Sequence, residues 1–222
     1  METQETIREI KKQFRLFMNG VVSQSMRDKG LDYKLNFGIE VPRIKEIAAK
    51  FEKNHDVAQT LWKENIRECK IMAGLLQPIE TFYPEIADIW VEDMRYPELA
   101  EHTVMNLFQY LPYASEKAFE WMAHEGTYFQ YCGYMLMARL LMRGNQLNEW
   151  AENEFLDQAL TALQEKESFV PRAASIALQK YAAQNKNQLR KLSKLLLSLK
   201  KTETFEVATL NEEIKLRAEY CH

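Results

Sequence analysis

The feature that most limits what this chain can fold into is its punctuation. Apolar residues recur with a period near 3.6 along almost the whole sequence, and Pro, Gly, Asn or Asp starts or stops each run. Ile7, Ile10, Phe14 and Phe17 form the first stripe, closed by Asn19 and Gly20; a second run, 21–30, stops at Gly30. The spacing predicts further helices over 42–52, 55–65, 66–78, 84–94, 97–111, 114–125, 127–143, 149–165, 167–183 and 187–200, with a frayed tail to His222. Pro42 falls in a first helical turn, where its missing N–H breaks no intrahelical bond. No stretch alternates with the period of two that a half-buried strand requires. Sandwiches and barrels are thereby excluded.

Four segments share one pattern. LWKENIRECKIMAGLL, MRYPELAEHTVMNLF, GTYFQYCGYMLMARLL and KESFVPRAASIALQKY each open on polar or turn-like residues, then continue as an apolar stripe with small residues in the second half. They recur roughly every 30–40 residues, a period that belongs to stacked helix pairs of the HEAT kind. The expected fold is an all-α, right-handed α-α superhelix. It would be a HEAT-like solenoid of five to seven helix pairs, one domain over 1–222, least regular beyond about residue 200. A globular helical bundle is the alternative.

Apolar residues make up 46% of the chain, enough for a core, and only 7 Gly and 6 Pro interrupt it. A net charge of −3 gives no global basic field. Cys69, Cys132 and Cys221 lack CxxC or Cys/His spacing, so reduced thiols are expected, with no disulfide frame and no metal. The first residues show no signal-peptide core, and no apolar run approaches the roughly 20 residues of a membrane span. A cytoplasmic protein with no membrane partner is the expectation.

The stretch FGIEVPRIKEIAAKF, followed by LWKENIRECKIMAGLL, is similar to the N-terminal signature of the DNA alkylation repair family of HEAT-like proteins. Phe37, Gly38, Val41, Pro42, Leu61, Trp62, Arg67 and Glu68 carry the likeness. The later SFVPRAASIALQKYAAQN resembles another helix of that family, and the resemblance spans roughly residues 5–200. It implies a concave groove that holds duplex DNA and, in active members, excises cationic alkylated purines such as 3-methyladenine and 7-methylguanine. A carboxylate near the sugar stabilises the developing positive charge, and no cofactor is needed.

Carried over position by position, the resemblance places Glu101 where the family has its catalytic aspartate. Tyr96 or its neighbour Pro97 stands at the preceding tryptophan. Phe129 replaces the next aromatic, Tyr131 and Cys132 occupy arginine positions, and Arg172 survives in the last element, where Ile176 and Gln179 replace a tryptophan and an arginine. Glu101 is thus the candidate catalytic residue, and Tyr96, Phe129, Tyr131 and Arg172 are candidate DNA contacts. Each also has a plainer reading. Glu98 and Glu101 suit a helix start, and Tyr128, Phe129, Tyr131 and Tyr134 suit inter-helix packing. Trp62, Trp90, Trp121 and Trp150 read as packing anchors, and His102 as a helix-surface residue.

Charge is unevenly spread. Residues 84–101 carry Glu85, Asp88, Glu92, Asp93, Glu98 and Glu101 against Arg95 alone, while 186–201 holds six of the 29 basic residues and no acid. Lys186, Arg190, Lys191 and Lys194 are candidate phosphate contacts on that helix, which otherwise reads as ordinary amphipathic helix. Three functions follow. The first is a divergent nucleic-acid-binding member of the family with weak or absent alkylpurine glycosylase activity. The others are an active glycosylase using Glu101, and a helical scaffold for a protein partner, favoured by the acidic segment.

Overall fold

The structure is a computed structural model that describes residues 3–166, 168–199 and 204–220. Its helices in chain order are α1 (Thr3–Leu16), α2 (Gly20–Asp28), α3 (Val41–Ala48), α4 (His55–Trp62), α5 (Arg67–Leu76) and α6 (Pro84–Glu92). They continue as α7 (Pro97–Asn106), α8 (Ala114–Met122), α9 (Thr127–Met142), α10 (Glu149–Ala162), α11 (Val170–Ala182), α12 (Lys186–Ser198) and α13 (Phe205–Tyr220). Short 3-10 turns at Ile79–Thr81 and Phe108–Tyr110 follow α5 and α7, so the latter ends sooner than its apolar stripe suggested. Among the described residues the sole β feature is an isolated bridge between Leu35 and Ile66. The fold is all-α, as the periodicity predicts.

Four asparagines start helices. The side chains of Asn19, Asn54, Asn148 and Asn185 accept from backbone N–H groups in the first turns of α2, α4, α10 and α12. Each such cap satisfies an otherwise orphaned donor and stabilises its helix by about 1 kcal/mol.

The helices gather into two compact units. One takes the described residues up to Ile89 together with Asn106–Leu111; the other takes Trp90–Met105 and the described residues from Pro112 onward. In the first, α4 and α5 pack together, α3 lies on α5 and α1 on α4. The stripe Ile7, Ile10 and Phe14 faces inward, with the Phe14 ring 5.7 Å from that of Phe37. In the second, α9 is gripped by α8 and α11, and α11 also meets α10, α12 and α13. Gly133 makes the α8–α9 approach feasible, since a Cβ there would lie 2.6 Å from the Met122 nitrogen.

The FGxxVP corner has a structural job. Gly38 sits at φ +70, and an added Cβ would fall 2.2 Å from the Asn19 carbonyl oxygen and 2.6 Å from the Ser23 nitrogen. The corner is therefore pressed against the start of α2. Asn19 N donates to the Phe37 carbonyl at 2.8 Å, and Ser23 Oγ to the Asn36 carbonyl at 2.7 Å. From the other side the buried Glu68 carboxylate accepts from the amides of Phe37 (3.1 Å) and Ile39 (3.2 Å). Arg67, equally buried, donates to the Ile39 carbonyl and to Glu68. The motif residues of both segments thus meet in one knot that fixes how the chain leads into α3.

Two expectations need correction. The frayed tail is α13 over Phe205–Tyr220, started by Thr204 Oγ1 accepting from Val207 N and seated by buried Val207, Leu210 and Ile214. Residues 200–203 and 221–222 lie outside the described residues. Trp62, Trp90 and Trp121 are buried anchors, but Trp150 is 74% exposed in the first turn of α10 and anchors nothing.

Candidate functional site

The second unit brings several of the sequence candidates to one place. Glu101, on the second turn of α7, is half-buried, and its Oε1 accepts from Tyr131 Oη at 2.6 Å. Tyr131 lies on the second turn of α9 and is 1% exposed. Burial first, and then the Glu101 carboxylate, push its phenol far above the ordinary tyrosine range, while Arg172 pulls the other way. The hydroxyl therefore stays protonated and donates.

Around this pair stand more aromatic rings. Phe169, just ahead of α11, has its ring centroid 5.1 Å from that of Tyr128 and 5.1 Å from that of Tyr131. Tyr128 and Phe169 are half-buried and so reach solvent in part. Burial, with Tyr96 and Cys132 nearby, pushes the Tyr128 hydroxyl up to about 12. Arg172 is exposed in the first turn of α11, with no carboxylate within ion-pair distance among the described residues. Glu101, Tyr131, Phe169 and Tyr128 form a carboxylate-centred aromatic cluster, with Arg172 close enough to act on Tyr131 through its charge.

One sequence candidate sits elsewhere, and one residue outside the candidates takes a place at the site. Phe129 turns to the α8–α9 corner, stacked on His124 at 4.0 Å and edge-on to Trp121. Its ring joins that pair and not the Glu101 cluster. Phe169, which the sequence reading did not single out, fills a place in the cluster. It lies within the motif segment SFVPRAASIALQ, but its ring meets residues 38 and 41 positions away, which no local pattern reveals.

The basic helix divides. Lys186, Arg190 and Lys194 are exposed at i, i+4 and i+8 along α12, opposite the buried Leu189, Leu192 and Leu196. Lys191 is drawn inward. Its ammonium pairs with Glu152 and donates to Asn153 Oδ1 at 2.8 Å. Glu152 also accepts from Tyr181 Oη at 2.6 Å. Burial raises the Glu152 carboxyl, but Lys191, Tyr181 and Gln188 outweigh it and hold the group below the usual range. α12 packs against α11, whose first turn carries Arg172.

Elsewhere the chemistry is sparse. Among the described residues no group of three His, Cys, Asp or Glu could hold a metal, and no helix is long and apolar enough to cross a membrane. Burial pushes the Cys69 thiol up to about 12 and that of Cys132 higher still, so neither is a ready nucleophile.

Comparison with known proteins bears on the family and the fold. The family described as DNA alkylation repair enzyme matches residues 6–192. No curated protein matches the chain. A solved structure superposes with a TM-score of 0.78 at 15% identity, over 99% of this chain and 94% of the other. That protein is described as one of a new family related to the HEAT-like repeat DNA glycosylases, with affinity for branched DNA structures. The likeness establishes a HEAT-like helical-repeat fold here.

Proposed function

The chain belongs to the DNA alkylation repair enzyme family, and from that premise we propose that it binds DNA, with weak or absent excision of alkylated purines. The observation that carries the binding half is the line of exposed cations Lys186, Arg190 and Lys194 on α12. Three cations at one-turn spacing, with no carboxylate within ion-pair distance among the described residues, suit a phosphate backbone, where each contact releases counterions. Arg172, on the neighbouring α11, adds a fourth exposed cation. The structural neighbour's affinity for branched DNA supports including junctions among the ligands.

Weak catalysis follows from the site's composition. Glu101 keeps the family's charge but is one methylene longer than aspartate, and a misplacement of about 1 Å can cost on the order of 100-fold. A cationic base also loses tryptophan stacking, worth about 0.5–2 kcal/mol per ring. Tyr128 and Phe169 offer partial replacement, and this favours slow excision through Glu101 as the second reading.

Two assays test the proposal. Release of 7-methylguanine or 3-methyladenine from alkylated duplex is expected to be slow or undetectable, and any release should vanish in Glu101→Gln. Fast release by the wild type would overturn the reading. Fluorescence anisotropy at low salt should show binding to duplex and four-way-junction DNA. No detectable binding to either would leave the protein-scaffold function standing.

A further inference from the structure

Two tyrosine-to-glutamate hydrogen bonds of equal length cross the second unit, and only one is completed by a cation. Tyr131 donates to Glu101 Oε1 and Tyr181 to Glu152 Oε1, both at 2.6 Å. Both tyrosines are buried and both glutamates half-buried. At Glu152 the second oxygen is taken by the Lys191 ammonium. At Glu101 it is not: among the described residues Oε2 accepts no hydrogen bond and has no Lys or Arg nitrogen within 4.0 Å. Arg172, the nearby cation, is exposed and beyond ion-pair distance, and half-burying a carboxylate without a directly paired cation is costly. A clasp that served packing alone would gain from the cation that its counterpart has.

The aromatic surroundings restrict what could supply the charge. The Phe169 ring lies at contact separation from both the Tyr128 and the Tyr131 rings, so no slot is left between it and either of them. A ligand would stack on the parts of Tyr128 and Phe169 that remain open to solvent. That geometry suits a flat cation better than a tetrahedral ammonium, which is held best when rings stand apart around it.

We propose that Tyr131 is a positioning residue: its hydroxyl fixes Oε1 of Glu101 and presents Oε2, uncompensated, to a flat organic cation. The inference rests on Glu101 being the carboxylate of the site, as proposed above. It moves Tyr131 from a direct DNA contact, which its burial prevents, to a role exercised through Glu101. A short O–H···O⁻ bond of this kind is among the stronger and more directional in proteins.

The test uses the full chain and two probes of one shape: N-methylquinolinium, permanently charged, and quinoline, neutral at about pH 7.5. Affinities are read by NMR shift titration. The wild type is expected to prefer the charged probe by about tenfold or more. Glu101→Gln should abolish the preference, and Tyr131→Phe should cut it to about threefold or less while circular dichroism stays unchanged. If Tyr131→Phe does not fold, Glu101→Asp decides, because it keeps the charge but falls short of the tyrosine hydroxyl. A merely structural Tyr131 would lower the melting temperature and leave the preference intact; that result, in either variant, overturns the proposal, as does a wild type without preference. Failure here is separable from failure of the DNA-binding reading. A protein that prefers the cation but binds no DNA retains this inference alone, and one that binds DNA without preferring the cation retains only the other.

Discussion

Replacing Gly38 by alanine isolates what the FGxxVP corner does. Two costs combine. A left-handed φ of +70 is disfavoured for alanine by about 1–2 kcal/mol. The new Cβ also meets backbone, not a flexible side chain: the Asn19 oxygen at 2.2 Å and the Ser23 nitrogen at 2.6 Å. Relief requires the corner to move off α2, and the Asn19–Phe37 and Ser23–Asn36 hydrogen bonds would go with it, at about 1 kcal/mol each. The expected loss is about 3–4 kcal/mol, or a fall in melting temperature of roughly 6–16 °C for a chain of this size. Two other glycines separate the terms. Gly30 has φ +92 but open space, so Gly30→Ala should cost only the φ term, about 1–2 kcal/mol. Gly20, at the first position of α2, has neither constraint, and Gly20→Ala should stabilise by about 0.4–1 kcal/mol. Urea unfolding of the three variants measures all of this. If Gly38→Ala costs no more than Gly30→Ala, the close approach is not what holds the corner.

Further outcomes follow from the ion pairs. Glu68→Gln removes the charge facing buried Arg67 and should cost about 3–5 kcal/mol in urea unfolding. The apolar double variant Arg67→Met/Glu68→Leu should not recover that loss, because leucine leaves the Phe37 and Ile39 amides with no side-chain acceptor. Glu152 is held below its ordinary range, so its contribution is present above the unfolded value of about 4.3 and is lost as pH falls through the folded one. The stability gap between wild type and Glu152→Gln should therefore be open at about pH 6 and narrow as pH falls below about 4.3. A gap that persists at the acid end would contradict the assignment.

The helices were legible because their signals are local. Pro42, Pro84 and Pro97 mark first turns, the four capping asparagines precede their helices, and the Ile7–Ile10–Phe14 stripe is buried as read. α13 carried the same kind of signal, Thr204 followed by Val207, Leu210 and Ile214, but its weak amphipathicity among many charges hid it. The candidate site was legible only in parts. Glu101 and Tyr131 stand 30 residues apart, and only the fold shows that a hydrogen bond joins them. Phe169 enters the cluster, and Phe129 leaves it, through ring orientations that sequence does not encode locally. Lys191 matched its basic neighbours in sequence, yet the partner that removes it from the surface, Glu152, lies 39 residues earlier.

DNA binding through the α12 cations is the central claim, and the salt dependence of affinity tests it most directly. Anisotropy with a labelled four-way junction, repeated from about 50 to 200 mM salt, gives the slope of log affinity against log salt. Each phosphate contact contributes about 0.9 to that slope, so replacing Lys186, Arg190 and Lys194 together by glutamine should reduce it by roughly 3. Lys191→Gln, with its ammonium already committed to Glu152, should change it little. A triple variant whose slope and low-salt affinity match those of the wild type would contradict the account.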